Sequence, residues 1–156
     1  MSSIGFRASA DTVYYGIIEE DGSFNIGRLT RPKSMEEPAA LRYLRTNIRD
    51  IITEFEAQSA GIRMVEPQAP GSFPERRHIE GVILELLANS TVQSYFEGPI
   101  ATIAKWLGKD RDEIKPMRDG ETLFLDYPDW DVDYRNEERE AILTAAAAMS
   151  KHNDQL

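Results

Sequence analysis

The sequence predicts an α/β domain built on a mixed five-stranded sheet with helices on both faces. Three observations carry this. Three consecutive β-rich segments open the chain, at Ser3–Ala8, Val13–Glu19 and Ser23–Arg31. The short stretch Gly61-Ile62-Arg63-Met64-Val65-Glu66-Pro67 then reads as a strand between two helical segments. Such a strand belongs inside a sheet, with its C-terminal end facing a crevice, which is where open α/β sheets bind ligands. A fifth strand and further helices follow in alternation. The first three strands are expected to be antiparallel, and the Gly61 and Thr91 strands parallel to the first.

Each element has its own warrant. Val13-Tyr14-Tyr15-Gly16-Ile17-Ile18 is rich in β-branched and aromatic residues. Glu20-Asp21-Gly22-Ser23 is an Asp-Gly turn that joins the second and third strands as a hairpin. In the first helical segment Ser34 and Glu37 have capping-box spacing, and Pro38 falls in the first turn. Leu41, Leu44, Ile48, Ile51, Ile52 and Phe55 then mark a buried helical face, and Ser59-Ala60-Gly61 is expected to end that helix. Pro67 to Pro74 is proline-rich and must be a loop. Glu75–Ala88 follows as a helix with Ile79, Val82, Ile83, Leu86 and Leu87 inward. Gly81 inside it costs roughly 1 kcal/mol against alanine, and a close helix–sheet contact is the expected reason. Thr91–Glu97 reads as the fifth strand, Gly98-Pro99 starts another helix, and Asp110–Met117 adds a short one. Leu123-Phe124-Leu125 reads as a short extended piece, 126–136 as an acidic loop and Glu137–Lys151 as an alanine-rich helix.

Composition narrows the function. The chain of 156 residues is long enough for one domain with a real core. It has no cysteine, which excludes disulfides, thiolate metal sites and thiol catalysis and fits a cytoplasmic protein. Residues Met1 to Gly5 show no basic, apolar leader, and no stretch reads as a membrane span. The net charge is −9, and 119–140 alone holds nine acids and two bases, −7 of that total. Such a chain is a poor generic binder of phosphate backbones. The first 118 residues are nearly neutral, so a basic face there stays open. Arg42, Arg45 and Arg49 form one helical stripe, and with Arg76 and Arg77 they are the residues any nucleic-acid contact should use. The commoner role of such a stripe is a solvated, ion-paired face.

Certain short motifs resemble a known family. Gly5-Phe6-Arg7-Ala8-Ser9 with Tyr15-Gly16-Ile17-Ile18, Met64-Val65-Glu66-Pro67, Glu80-Gly81-Val82, the 92–108 segment and Glu137-Glu138-Arg139-Glu140-Ala141 resemble, in order, stations of the ribonuclease H-like superfamily in its Holliday-junction resolvase branch, the RuvC-like nucleases. The likeness spans nearly the whole chain, although each motif is short. It implies a ribonuclease H-like sheet and a site of four acids holding two magnesium ions. Hard oxygen ligands there would bring the ions roughly 4 Å apart to clamp the attacking and leaving oxygens of a phosphodiester.

Carried over one at a time, Glu66 matches the second acid, and Glu137 and Glu140, spaced i and i+3, match the last two. These three are the implied catalytic and metal-binding residues, functional or vestigial. The first acid is replaced by Arg7. A guanidinium has no lone pair for a metal and carries permanent positive charge. Two functions therefore compete. One is a non-catalytic interaction or regulatory module with a degenerate acidic site. The other is a structure-specific endonuclease using Mg2+ or Mn2+. The first is preferred. It implies a protein partner, weak nucleic-acid binding, no membrane and no cofactor, and it leaves a homodimer open.

Other signals are weaker. Asp129, Asp131, Asp133, Glu137 and Glu140 have EF-hand-like spacing, but Tyr134 stands where the turn needs glycine. An acidic surface loop is the simpler account. His78 and His152 are isolated, and Trp106 and Trp130 read as packing residues, with Trp130 a conceivable partner contact.

Overall fold

The structure is a computed structural model, and it describes residues 1–66, 70, 73–124, 130–131 and 133–154. The elements run β1 (Ser2–Ala8), β2 (Thr12–Glu19), β3 (Phe24–Thr30), α1 (Glu37–Phe55), β4 (Ala57–Arg63), α2 (Pro74–Leu87), β5 (Ser94–Gly98), α3 (Ile100–Leu107), α4 (Arg111–Arg118) and α5 (Asn136–Asp154). The sheet order is β3-β2-β1-β4-β5. β1, β2 and β3 are antiparallel, while β4 runs parallel to β1 and β5 parallel to β4. The five-stranded mixed sheet and its strand directions are those expected.

Strand alternation divides the side chains between two cores. Ile4, Phe6 and Ala8 of β1 and Ala60 and Ile62 of β4 pack with Leu44, Ile48 and Ile52 of α1 and Ile79, Ile83 and Leu86 of α2. The opposite face meets α5 and a second cluster that includes Phe96, Ile103, Phe124, Trp130, Ile142 and Leu143. Here the helix backbone comes unusually close. A Cβ on Gly5 would lie 2.2 Å from the Ala141 carbonyl oxygen and 2.4 Å from the Ala145 amide nitrogen. On Gly61 it would meet Thr144 Cγ2 at 2.7 Å. The alanine-rich stretch of α5 is therefore the small-residue side of a tight helix–sheet contact, which explains a helix with few large apolar side chains.

Several expectations need correction. The helix before β4 ends at Phe55, where Glu56 adopts a left-handed conformation (φ 50) and closes it. β4 therefore begins at Ala57 and stops at Arg63, so Glu66 lies three residues beyond the strand and not in it. Pairing with β1 dictates this placement, since Gly61 must stand beside Gly5 to admit α5.

Ser34 and Glu37 form no capping box, because the Glu37 carboxylate is taken by Arg31 and by His78 Nδ1 at 3.1 Å. The box that forms is Asp110 with Glu113, at α4. Gly81 is also not at a helix–sheet contact: a Cβ there would meet nothing within 4 Å. Leu123 and Phe124 are not in a strand, and Leu125 lies outside the described residues. So do Pro67 and much of the proline-rich and acidic loops.

Candidate functional site

The site lies at the C-terminal ends of β1 and β4, where α5 and α2 begin. β1 and β4 each carry the same short pattern, Gly5-Phe6-Arg7 and Gly61-Ile62-Arg63, and the two are in register. Each glycine admits α5. Each arginine, two residues on, projects from the same face just past that close contact. Like charges side by side in neighbouring strands repel, and an acid from the helix resolves this one.

Arg7 Nε donates to Glu140 Oε2. Arg63 Nε lies 3.4 Å from Glu140 Oε1, and Arg118 Nη1 lies 3.9 Å from that same oxygen. Glu140 is 4% exposed. A buried carboxylate needs such compensation, since an unpaired one would cost several kcal/mol.

Two more acids complete the cluster. Glu66 Oε2 is 3.6 Å from Arg63 Nη1, and its side chain is 35% exposed. Burial pushes its pKa up, but its own backbone amide together with Arg63 and Arg111 outweighs this and holds it below the ordinary value. Glu80, on α2, accepts a hydrogen bond from the Val65 amide at 3.2 Å and lies 3.4 Å from Arg76 Nε. Burial raises the Glu80 pKa despite Arg76. Arg76 is itself buried, and burial, followed by the charge of Arg7 and then that of Arg63, pulls its pKa down to about 10. It remains charged at neutral pH.

The expected residues are thus distributed unevenly. Arg7, Glu66 and Glu140 converge. Glu137 is half-buried and makes no ion pair among the described residues. Arg76, read as part of an exposed basic face, is buried in the crevice instead. Arg42, Arg49 and Arg77 are exposed, and Arg45 pairs with Glu85 at 2.9 Å. Arg63, Glu80 and Arg118 were not anticipated. The repeated Gly-x-Arg could have pointed to Arg63, but only once the register of β4 against β1 was known.

The acidic loop has a cation of its own. Arg139 donates to the carbonyls of Arg118, Trp130 (3.1 Å) and Tyr134 (2.6 Å) and to Asn136 Oδ1. Of the EF-hand-like acids, Glu140 is held by arginines, and Asp129 lies outside the described residues. Trp130 is fully buried and donates through Nε1 to the Met117 carbonyl at 2.8 Å, so it packs and does not project to a partner. His152 is buried, with Nδ1 3.1 Å from Ser94 Oγ.

The divalent pair implied by the resemblance can be tested on these donors. Both oxygens of Glu140 face guanidinium nitrogens. Among the described residues, no group of three or more His, Cys, Asp or Glu is placed to hold a metal ion. As arranged, the residues do not fit two divalent ions. Among the described residues there is also no helix long and apolar enough to cross a membrane.

No protein-family profile matches the chain, and no curated protein does. Solved structures do match. Thermus thermophilus RuvC superposes with a TM-score of 0.72 at 11% identity, covering 99% of this chain and 97% of that one. The fold is that of RuvC. T. thermophilus RuvC in complex with a Holliday junction substrate gives a TM-score of 0.69, also at 11% identity, over 99% and 96% of the two chains. The chain is therefore RuvC-like in fold from end to end, and the ribonuclease H-like class expected from its motifs stands.

Proposed function

We propose that this chain is a non-catalytic protein of RuvC-like fold, an interaction or regulatory module. Fixed guanidinium charge stands in its crevice where the resemblance implies metal ions. One observation carries the reading: Arg7, at the position of the first acid, donates to the buried Glu140 that matches the last. A divalent ion would have to displace Arg7 and Arg63 from that carboxylate while sitting beside two permanent cations. Among the described residues of the acidic 119–140 segment, Glu121, Asp131 and Asp133 are exposed, and a protein partner of opposite charge would meet these acids.

The competing reading is a Mg2+- or Mn2+-dependent structure-specific endonuclease. It is favoured by the end-to-end match to a RuvC solved with a junction substrate and by Glu66 and Glu140 at the crevice. The two readings separate in one experiment. Wild-type protein is incubated with labelled four-way junctions and Mn2+, and its melting temperature is followed across the same Mn2+ titration. The module reading expects intact junctions and a flat melting temperature in wild type. It expects a rising one in Arg7→Asp, which restores a carboxylate. Junction cutting by wild type that is lost in Glu66→Gln would establish the nuclease instead.

A further inference from the structure

The arginines of the crevice are incompletely used. Arg63 and Arg76 are 6% and 5% exposed, yet Arg63 Nε, Arg76 Nε and Arg76 Nη2 are buried without a hydrogen-bond partner. The nearest carboxylates, 3.4 Å away in each Nε case, have the right charge but not hydrogen-bond geometry. Buried donors of this kind are rarely left open in folded proteins, and each is costly. Nε and Nη2 of Arg76 form one edge of the guanidinium plane, the edge that grips two oxygens of a single oxyanion.

We propose that this cluster binds a terminal phosphoryl group, held by Arg76 and Arg63 with Arg7 beside them, in exchange for Glu66. The inference rests on the metal-free reading above and names the ligand of that same crevice. Glu66 is the group that yields, because it is the more distant of the two carboxylates paired with Arg63, 3.6 Å against 3.4 Å for Glu140, and its side chain is the most exposed of the three acids. Glu140 and Glu80 are buried and stay. Burial first, and then the charge of Arg7, lowers the Arg76 pKa, and a second anion would offset that neighbouring positive charge.

A terminal phosphoryl group fits better than a phosphodiester. A diester has two non-bridging oxygens, both consumed by the Arg76 edge, whereas a terminal group has a third for Arg63. A chain of net charge −9 also repels a polyanion more than a small one. The group could arrive as free phosphate or as the 5′-phosphate of a nucleic-acid strand.

The test is calorimetric titration of the full chain at constant ionic strength with inorganic phosphate. Parallel titrations use a short single-stranded oligonucleotide with and without a 5′-phosphate. The expected result is saturable one-to-one binding of phosphate, weakened about tenfold or more in Arg76→Met and Arg76→Lys, the loss of one charged hydrogen bond. Glu66→Gln should bind more tightly, because the competing carboxylate is gone. If the Arg76 variants fail to fold, Glu66→Gln alone decides, and unchanged or weaker binding there overturns the proposal. So does no binding to wild type, binding indifferent to Arg76, or oligonucleotide binding indifferent to the 5′-phosphate. Tighter, Arg76-dependent binding of the phosphorylated strand supports a strand end as source; binding of phosphate alone supports the free anion. Absent phosphate binding leaves the metal-free reading intact, whereas Mn2+-dependent junction cutting ends that reading whatever phosphate does.

Discussion

Arg7 and Arg63 stand in register on β1 and β4 and share one carboxylate, Glu140, which reaches them from α5. Three elements far apart in sequence are thereby tied at one point. Arg7→Ala should destabilise the fold by about 2 kcal/mol. That lies below the roughly 3–5 kcal/mol of a fully buried pair that loses one partner, because Arg63 and Arg118 remain beside Glu140 and Arg7 is partly open to water. Urea unfolding measures this, and a loss under about 0.5 kcal/mol would place the pair with ordinary surface bridges. Arg7→Asp without metal should be worse, since it sets two carboxylates together.

Two glycines should respond with opposite sign. Gly5→Ala drives a methyl group into the backbone of α5, against Ala141 and Ala145. Neither the strand nor the helix can yield without breaking its own hydrogen bonds, so the loss should reach about 3 kcal/mol or prevent folding. Gly81→Ala, in open space within α2, should stabilise by about 0.5–1 kcal/mol through helix propensity. Thermal melts of both variants check the pair.

Acid stability should carry two opposed contributions. Glu66 has a folded pKa below its ordinary 4.5. Its stabilisation is therefore present above 4.5 and is lost as pH falls through the folded value. Glu80 is raised above 4.5. The folded protein holds that proton more tightly than the unfolded chain, so this contribution weakens as pH rises from 4.5 through the folded value. Urea midpoints measured from pH 3 to 7 should show a shallower acid limb in Glu66→Gln. Glu80→Gln should instead remove the opposing slope just above pH 4.5.

Arg139 should be irreplaceable by lysine. Its guanidinium reaches three carbonyls and one amide oxygen at once, and an ammonium cannot span them. Arg139→Lys should cost about 2 kcal/mol or more. In a Trp106→Phe background it should also red-shift the emission of the buried Trp130. Unchanged emission would mean that the Trp130 packing does not depend on Arg139.

Sequence alone determined the order of elements, the hairpin of β2 and β3, the apolar stripes of α1 and α2 and the fold class. These rest on local periodicity and turn chemistry, which are written residue by residue. It also marked Arg7, Glu66 and Glu140 as convergent, through the motifs they sit in. Tertiary structure decided the rest. The start of β4 at Ala57 depends on pairing with β1, and a one-residue slip in register would turn every side chain to the other face. Whether a glycine admits a helix, as Gly5 and Gly61 do, or faces solvent, as Gly81 does, depends on what lies across from it. Arg76 and Arg77 are neighbours in sequence with the same charge, yet one is buried against Glu80 and the other exposed. Only the packing of α2 beside the end of β4 separates them, because burial is a property of the neighbours and not of the residue.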